Sequence, residues 1–235
     1  MKGFGLALGL AALAGCNAAE IGPGAGPDGD GKTSVFLTDA PFPFDQITRV
    51  DIHVKEIALS PSADTSEGAP DWVVVASPDR TFNLLDLQNG STALLGEAVV
   101  PPGQYRAVRL VFDPSLFALV EEAMAIGENG EDIVVDFDVG RSFLYDGSAE
   151  FTFLPHLRAI VRAGSGEVTG RLLRAADDAP VARAVVSVHI APDSGAQVGP
   201  LLATTRSAAD GRFTASFLRP GRYQLVAEDL ERDVT

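Results

Sequence analysis

Val50, Ile52 and Val54 alternate with Asp51, His53 and Lys55, the period-two pattern of a strand with one wet face. The pattern then slips one place to Ile57 and Leu59, as a β-bulge would cause. Apolar runs of strand length recur along the chain. They predict strands at Ser34 to Thr38, Trp72 to Ala76, Phe82 to Leu87, Tyr105 to Phe112, Ile133 to Val139 and Glu150 to Leu154. Turn pairs separate them: Asn89-Gly90, Pro101-Pro102-Gly103, Asn129-Gly130 and Asp146-Gly147. Pro114 to Ile126 fits two patterns. Asp113 would cap a short helix with Leu116, Leu119, Val120 and Ala123 on one face, or the segment is a hairpin arm.

After Ala163-Gly164-Ser165-Gly166 a second set of strands is predicted: Glu167 to Leu173, Ala184 to Ile190, Leu201 to Thr205, Arg212 to Phe217 and Tyr223 to Ala227. Pro180, Asp193-Ser194-Gly195, Asp210-Gly211 and Pro220-Gly221 punctuate them. The fold class is therefore all-β, with two antiparallel β-sandwich domains in series, residues 33–163 and 164–235. Both halves hold the same local device, Pro102-Gly103-Gln104-Tyr105 and Pro220-Gly221-Arg222-Tyr223. Each is a tight turn that delivers a tyrosine to the start of a strand. The ring can pack on the sandwich while its hydroxyl satisfies a loop carbonyl.

The first 32 residues follow neither pattern. Lys2 precedes an apolar segment, Gly3 to Ala14, which is too short to span ~30 Å of hydrocarbon at ~1.5 Å per residue. It ends at Leu13-Ala14-Gly15-Cys16, and Cys16 is the one cysteine of the chain. This is the layout of a secretory signal over residues 1–15. Residues 16–32, rich in Gly, Pro and Asp and without hydrophobic period, make a flexible tether. Asp28-Gly29-Asp30-Gly31 fails as a calcium loop, because Lys32 and Thr33 occupy the places of a ligand and a glycine.

Composition narrows the function classes. The 235 residues are 46% hydrophobic, enough for two cores held without disulfides. The formal charge is −14; without Lys2 it is 17 basic against 32 acidic residues, or −15. Phosphate backbones repel such a chain, so no nucleic-acid partner is expected. The acidity reads as solubility, with weak cation binding as the sharper alternative.

Three resemblances follow from the residues quoted. Leu13-Ala14-Gly15-Cys16 resembles the lipobox of bacterial lipoproteins. In that family the cysteine receives a diacylglyceryl group and becomes the mature N-terminus. This implies lipid attachment at Cys16 and a membrane partner through the N-terminal lipid; Asn17, in place of aspartate, implies the outer rather than the inner membrane. The first unit resembles a bacterial lipoprotein domain of unknown function, family four-three-eight-two. The resemblance rests on Val35 to Pro41, Val50 to Ile57, Trp72, Phe82 to Leu87, Gly90, Pro102 to Tyr105 with Arg109-Leu110, Asp136-Phe137-Asp138 with Arg141-Ser142, and Pro155 with Arg158. It covers about residues 33 to 161, except that Ser115 to Asp132 departs from the pattern, and brings no activity with it. The second unit resembles the carboxypeptidase regulatory-like domain, a transthyretin-like sandwich of carbohydrate-binding-like fold. It does so through Gly166 to Gly170, Ala179-Pro180-Val181 with Ala184 to Val186, Thr204-Thr205, Asp210 to Phe213 and Leu218 to Tyr223. Such domains usually have another strand where this chain reaches Thr235, so this copy is expected either to be truncated or to borrow an edge strand.

Few residues could carry chemistry. There is no G-x-S-x-G run, and His53, His156 and His189 form no H-E-x-x-H or H-x-H pair, so each is expected on a strand face or loop. The best acidic pair is Asp136 and Asp138, on the face opposite Ile133, Val135, Phe137 and Val139 and ~6.6 Å apart along the strand. That spacing suits inverting glycosidase carboxylates or a shared cation. The plainer expectation is a solvated strand face with Arg141 or Arg158 as ion-pair partner. Asp39 and Asp45 flank a loop whose Phe42 and Phe44 are either an exposed contact surface or core anchors. The expected function is a lipid-anchored, exported binding or structural module without catalysis, cofactor or metal, taking a glycan or protein ligand. Two alternatives stand beside it: an acid/base hydrolase using Asp136 and Asp138, and a calcium-stabilised adhesin.

Overall fold

The computed structural model describes residues 31–40, 49–64, 66, 71–112, 115–145, 151–192 and 197–228, with the backbone alone at 115–122, 143–145 and 151–153. Cys16, with the signal segment and the tether up to Asp30, lies outside the described residues, as do Phe42, Phe44 and Asp45.

The regular structure of the described chain is nearly all strand. The period-two stripe Val35–Leu37 belongs to β1 (Lys32–Ala40), which sits inside a sheet rather than at its edge. It pairs antiparallel with β6 (Ala93–Val99) and parallel with β9 (Asp132–Asp138); β12 (Leu157–Val161) completes the sheet beside β9. The β1–β9 pair is a parallel exception in an otherwise antiparallel set. It aligns Thr38 with Asp136, Asp39 with Phe137 and Ala40 with Asp138. The facing sheet has the order β4 (Val73–Ala76), β3 (Glu56–Ser60), β7 (Gly103–Val111), β8 (Ser115–Ile126). Val35, Leu37, Ile133, Val135 and Phe137 of the first sheet meet Ile57, Leu59, Val108 and Leu110 of the second in one core. That is the alternation of the sequence realised as a sandwich.

Several local expectations resolve differently. The slip after Val54 is a break rather than a bulge. β2 (Asp51–Val54) forms a ribbon with β5 (Arg80–Asn83), and after Lys55 the chain enters the second sheet as β3. Phe82 to Leu87 is strand only to Asn83; Leu84–Leu87 is a 3₁₀ turn that buries Leu84 and Leu87. That three-residue spacing suits a 3₁₀ turn, in which i and i+3 eclipse. Of the two patterns that fitted the segment ending at Ile126, the hairpin arm is the one adopted, as β8, and not the helix. β6, β10 (Phe143–Tyr145) and β12 were not among the predicted strands. β10 pairs with β11 (Phe151–Phe153).

The five strands predicted after Gly166 are all present. β13 (Gly166–Arg171) pairs with β16 (Arg212–Leu218), and β15 (Leu201–Arg206), β14 (Val185–Ile190) and β17 (Tyr223–Glu228) form a three-stranded sheet. Their smaller core, built on Val188, Ala203, Ala215 and Leu218, shares no residue with the first. Both tyrosine devices fold as expected. Tyr105 donates its hydroxyl to Pro101 O at 2.8 Å, and Tyr223 donates to Arg219 O, each four residues back. Among the described residues no helix is long and apolar enough to cross a membrane.

Candidate functional site

The carboxylates cluster where β1 and β9 end side by side. Asp39 continues the core-facing column of Val35 and Leu37, so its side chain is carried into the sandwich; it is 3% exposed. Its Oδ1 accepts from Val139 N at 3.2 Å and its Oδ2 from Gln88 Nε2 at 3.4 Å. Burial pushes the carboxyl up to about 9 despite the Val139 bond, and the nearby Asp136 and Asp138 charges add to the rise. Asp39 is therefore a neutral acid at pH 7. Its neighbour Thr38 points the other way, its hydroxyl shared between the carbonyls of Leu87 at 3.0 Å and Ser91 at 2.8 Å.

Asp136 and Asp138 do lie on the face opposite the core, but that face is not solvated. They are 8% and 7% exposed. The second unit covers this side. Thr38, Asp136 and Arg158 line a small cleft together with Thr205, Thr214 and Phe217, and the cleft, about 20 Å³, has room for roughly one water. Arg158, opposite Asp136 in the β9–β12 ladder, is the ion-pair partner. Its Nη2 meets Asp136 Oδ2 at 2.6 Å, and its Nη1 donates to Phe217 O at 3.1 Å in the other unit. One guanidinium thus neutralises a buried carboxylate and satisfies a strand carbonyl across the seam. Phe217 reaches this place through a left-handed backbone, φ +57°, next to a register shift in β16. The Arg162 guanidinium lies 4.5 Å over the Phe36 ring and 5.7 Å from that of Phe217, a second link across the same seam. Gly90 is needed there as well, because its backbone is left-handed at φ +83°, and a Cβ would also crowd Ser216 Oγ at 2.6 Å.

Asp138 has another task. It precedes the single helical turn α1 (Val139–Ser142) and accepts from Arg141 N at 2.9 Å, an N-cap. Ser142 donates its hydroxyl to Asp138 O and receives His156 N at 2.9 Å, tying the turn to the strand that follows. Burial, then the Asp136 charge, pushes the Asp138 carboxyl up to about 6. The run Asp136-Phe137-Asp138 with Arg141-Ser142 is thus a strand end, a cap and a turn.

The three histidines stay apart. His53 bridges Thr81 Oγ1 at 3.0 Å and Asp79 Oδ1 at 2.8 Å on the β2–β5 ribbon, and its ring and Asp79 remain 46% and 79% exposed. His189 Nδ1 lies 2.8 Å from Gly199 O, and burial lowers the His156 ring. Among the described residues no group of three or more His, Cys, Asp or Glu is placed to hold a metal ion. Sequence reasoning missed Asp39 as a member of the cluster and Arg162 as a link. The signal for Asp39 was present: it extends an apolar column of period two into a polar residue.

Fold and seam together define an all-β protein in which a hydrogen bond from Arg158 to Phe217 O and the contact of Arg162 with the Phe217 ring link two sets of sheets. The profile of the domain of unknown function DUF4382 matches residues 30–155, and the chain belongs to that family. The match contains Asp39, Gln88, Asp136, Asp138 and Ser142; Arg158 and the second unit lie beyond it. No curated protein matches the chain. Among solved structures, a Streptococcal ancillary pilin is similar at 17% identity over 84% of this chain, with a TM-score of 0.22, too loose to define a shared fold. The chain spans about half, 54%, of that pilin's length.

Proposed function

We propose that the protein is an exported module for binding or structure, anchored to the bacterial envelope through lipid on Cys16, with no catalytic step of its own. The observation that carries the reading is the employment of its best acidic pair. Asp136 is held by Arg158 at the seam and Asp138 caps a turn, so both carboxylates already have structural work. A general acid or base instead needs reach to a substrate atom, whereas the cleft beside Asp136 holds about 20 Å³. The resemblance of 166–223 to carboxypeptidase regulatory-like domains supports an accessory sandwich behind the family domain. The lipobox-like Leu13 to Cys16 supports the anchor, and the Gly/Pro/Asp-rich stretch after it supports a tether that lifts the sandwiches off the membrane.

Two measurements test this. Cys16→Ser should abolish incorporation of labelled palmitate and move the protein out of the membrane fraction; undiminished labelling refutes the anchor. A glycan-hydrolysis panel should show no turnover by the purified protein. Turnover that disappears in Asp138→Asn would make the pair catalytic and replace this reading with an acid/base hydrolase.

A further inference from the structure

Charge is divided unevenly along the chain. Residues 1–163 hold 10 basic and 23 acidic residues, −13, whereas residues 164–235 hold 8 basic and 9 acidic, −1. All eight basic residues of the second unit are arginines. Arginine presents a planar fork of donors that matches carboxylate and phosphate oxygens, which lysine does not.

Three of these arginines, Arg183, Arg206 and Arg212, line an open cleft of about 400 Å³. Gln88 and Asn89 of the first unit contribute to the same lining, and Thr214 adds a hydroxyl. Among the described residues no acidic side chain lines it. The volume falls in the range of small-molecule sites, ~300–1,000 Å³.

The wall is built to a definite shape. Arg183 stands just before β14 with φ +59°, a left-handed conformation that is strained for a non-glycine residue. Its N–H donates to Ser207 O at 2.9 Å. Its carbonyl accepts both Nε and Nη2 of Arg206, at 3.2 and 3.1 Å. The strained residue therefore fixes the plane of a guanidinium at the cleft. Arg212 is different: its Nε faces Asp210 at 3.3 Å on an exposed turn, 77% and 54% open to water, a pair that an incoming anion can displace.

We infer that this arginine-lined cleft between the two units binds a small ligand carrying a carboxylate or phosphate group. The inference rests on the binding-module reading and gives it a ligand class. The neutral donors of Gln88, Asn89 and Thr214 suit the hydroxyl-rich body of a sugar acid or sugar phosphate, with the arginines taking the anionic group.

The test is calorimetric titration of the full chain with glucuronate, inorganic phosphate and neutral glucose, at low and at high salt. One or both anions should bind, glucose at least about tenfold more weakly, and high salt should weaken the anions. Arg212→Gln should cost about tenfold in anion affinity, the worth of one charged hydrogen bond, and leave the melting temperature near wild type. Arg206→Gln should cost more. Glucuronate binding alone assigns the carboxylate, and phosphate binding alone assigns the phosphate. Silence in both anion arms, equal affinity for glucose, or anion binding untouched by both substitutions overturns the inference. If the anions are silent while the chain captures a neutral glycan, the cleft is wrong and the binding-module reading survives.

Discussion

Asp39→Asn tests the buried cluster most sharply. Asp39 is 3% exposed, and its carboxyl is pushed up to about 9 in the fold against 3.8 as an ordinary aspartate. The folded pKa is the higher one, so across this window the folded state holds a proton that the unfolded state has released. Stability must therefore fall as pH rises from about 4 to about 9. The slope for one proton is ~1.4 kcal/mol per pH unit, and integrating from 3.8 to pH 7 gives a ceiling of about 4 kcal/mol. The substituted asparagine is nearly isosteric and carries no titration. Its Oδ1 can still accept from Val139 N, and its Nδ2 can donate to the Gln88 amide turned over. The variant should match wild type near pH 4 and exceed it increasingly above pH 5. The assay is urea unfolding of both proteins at pH 4, 5, 6, 7 and 8, reading the difference in unfolding free energy at each pH. A difference that stays flat over that range would refute the neutral buried acid, as would one that favours wild type more strongly as pH rises.

Further outcomes are expected. Arg158→Met leaves Asp136 buried without its cation and Phe217 O without its donor. The side chains are 22% and 10% exposed, so the cost should be about 2–4 kcal/mol, below that of a fully buried pair, and adding Asp136→Asn should recover part of it. Equal melting temperatures for wild type and Arg158→Met would contradict the joint. Tyr105→Phe and Tyr223→Phe should each lose about 1 kcal/mol in urea unfolding, the worth of one neutral hydrogen bond. A loss in one and none in the other would mean that the two turns, alike in sequence, do different work.

The strand pattern was legible because burial on one side of a sheet writes itself as period two. Asp136 and Asp138 were correctly placed opposite Phe137. What the alternation of one strand cannot encode is what lies over its other face, and here that is the second unit, joined through Arg158 to Phe217. The 3₁₀ turn Leu84–Leu87 and the strand β6 escaped for local reasons. The three leucines that follow Phe82 within five residues, Leu84, Leu85 and Leu87, read equally as strand. β6 contains Gly96, which breaks the apolar alternation and is there because a Cβ would lie 2.1 Å from the Ala76 Cβ. The arginine cleft is assembled from three separate stretches, so no spacing announces it.

The parallel pairing of β1 with β9 has a consequence for the order of events during synthesis. Lys32–Ala40 precedes every other described strand, yet one of its two flanks is completed only by Asp132–Asp138, with most of the first unit between them. Such a contact carries a large loop-closure cost and belongs to slow-folding topologies. A chain halted before Asp132 holds β1 with β6 alone, and Asp39 then has no Val139 amide to accept from. The unit thus stays open until most of it has been translated, which suits the export proposed for it, in which the polypeptide threads a membrane channel before it folds.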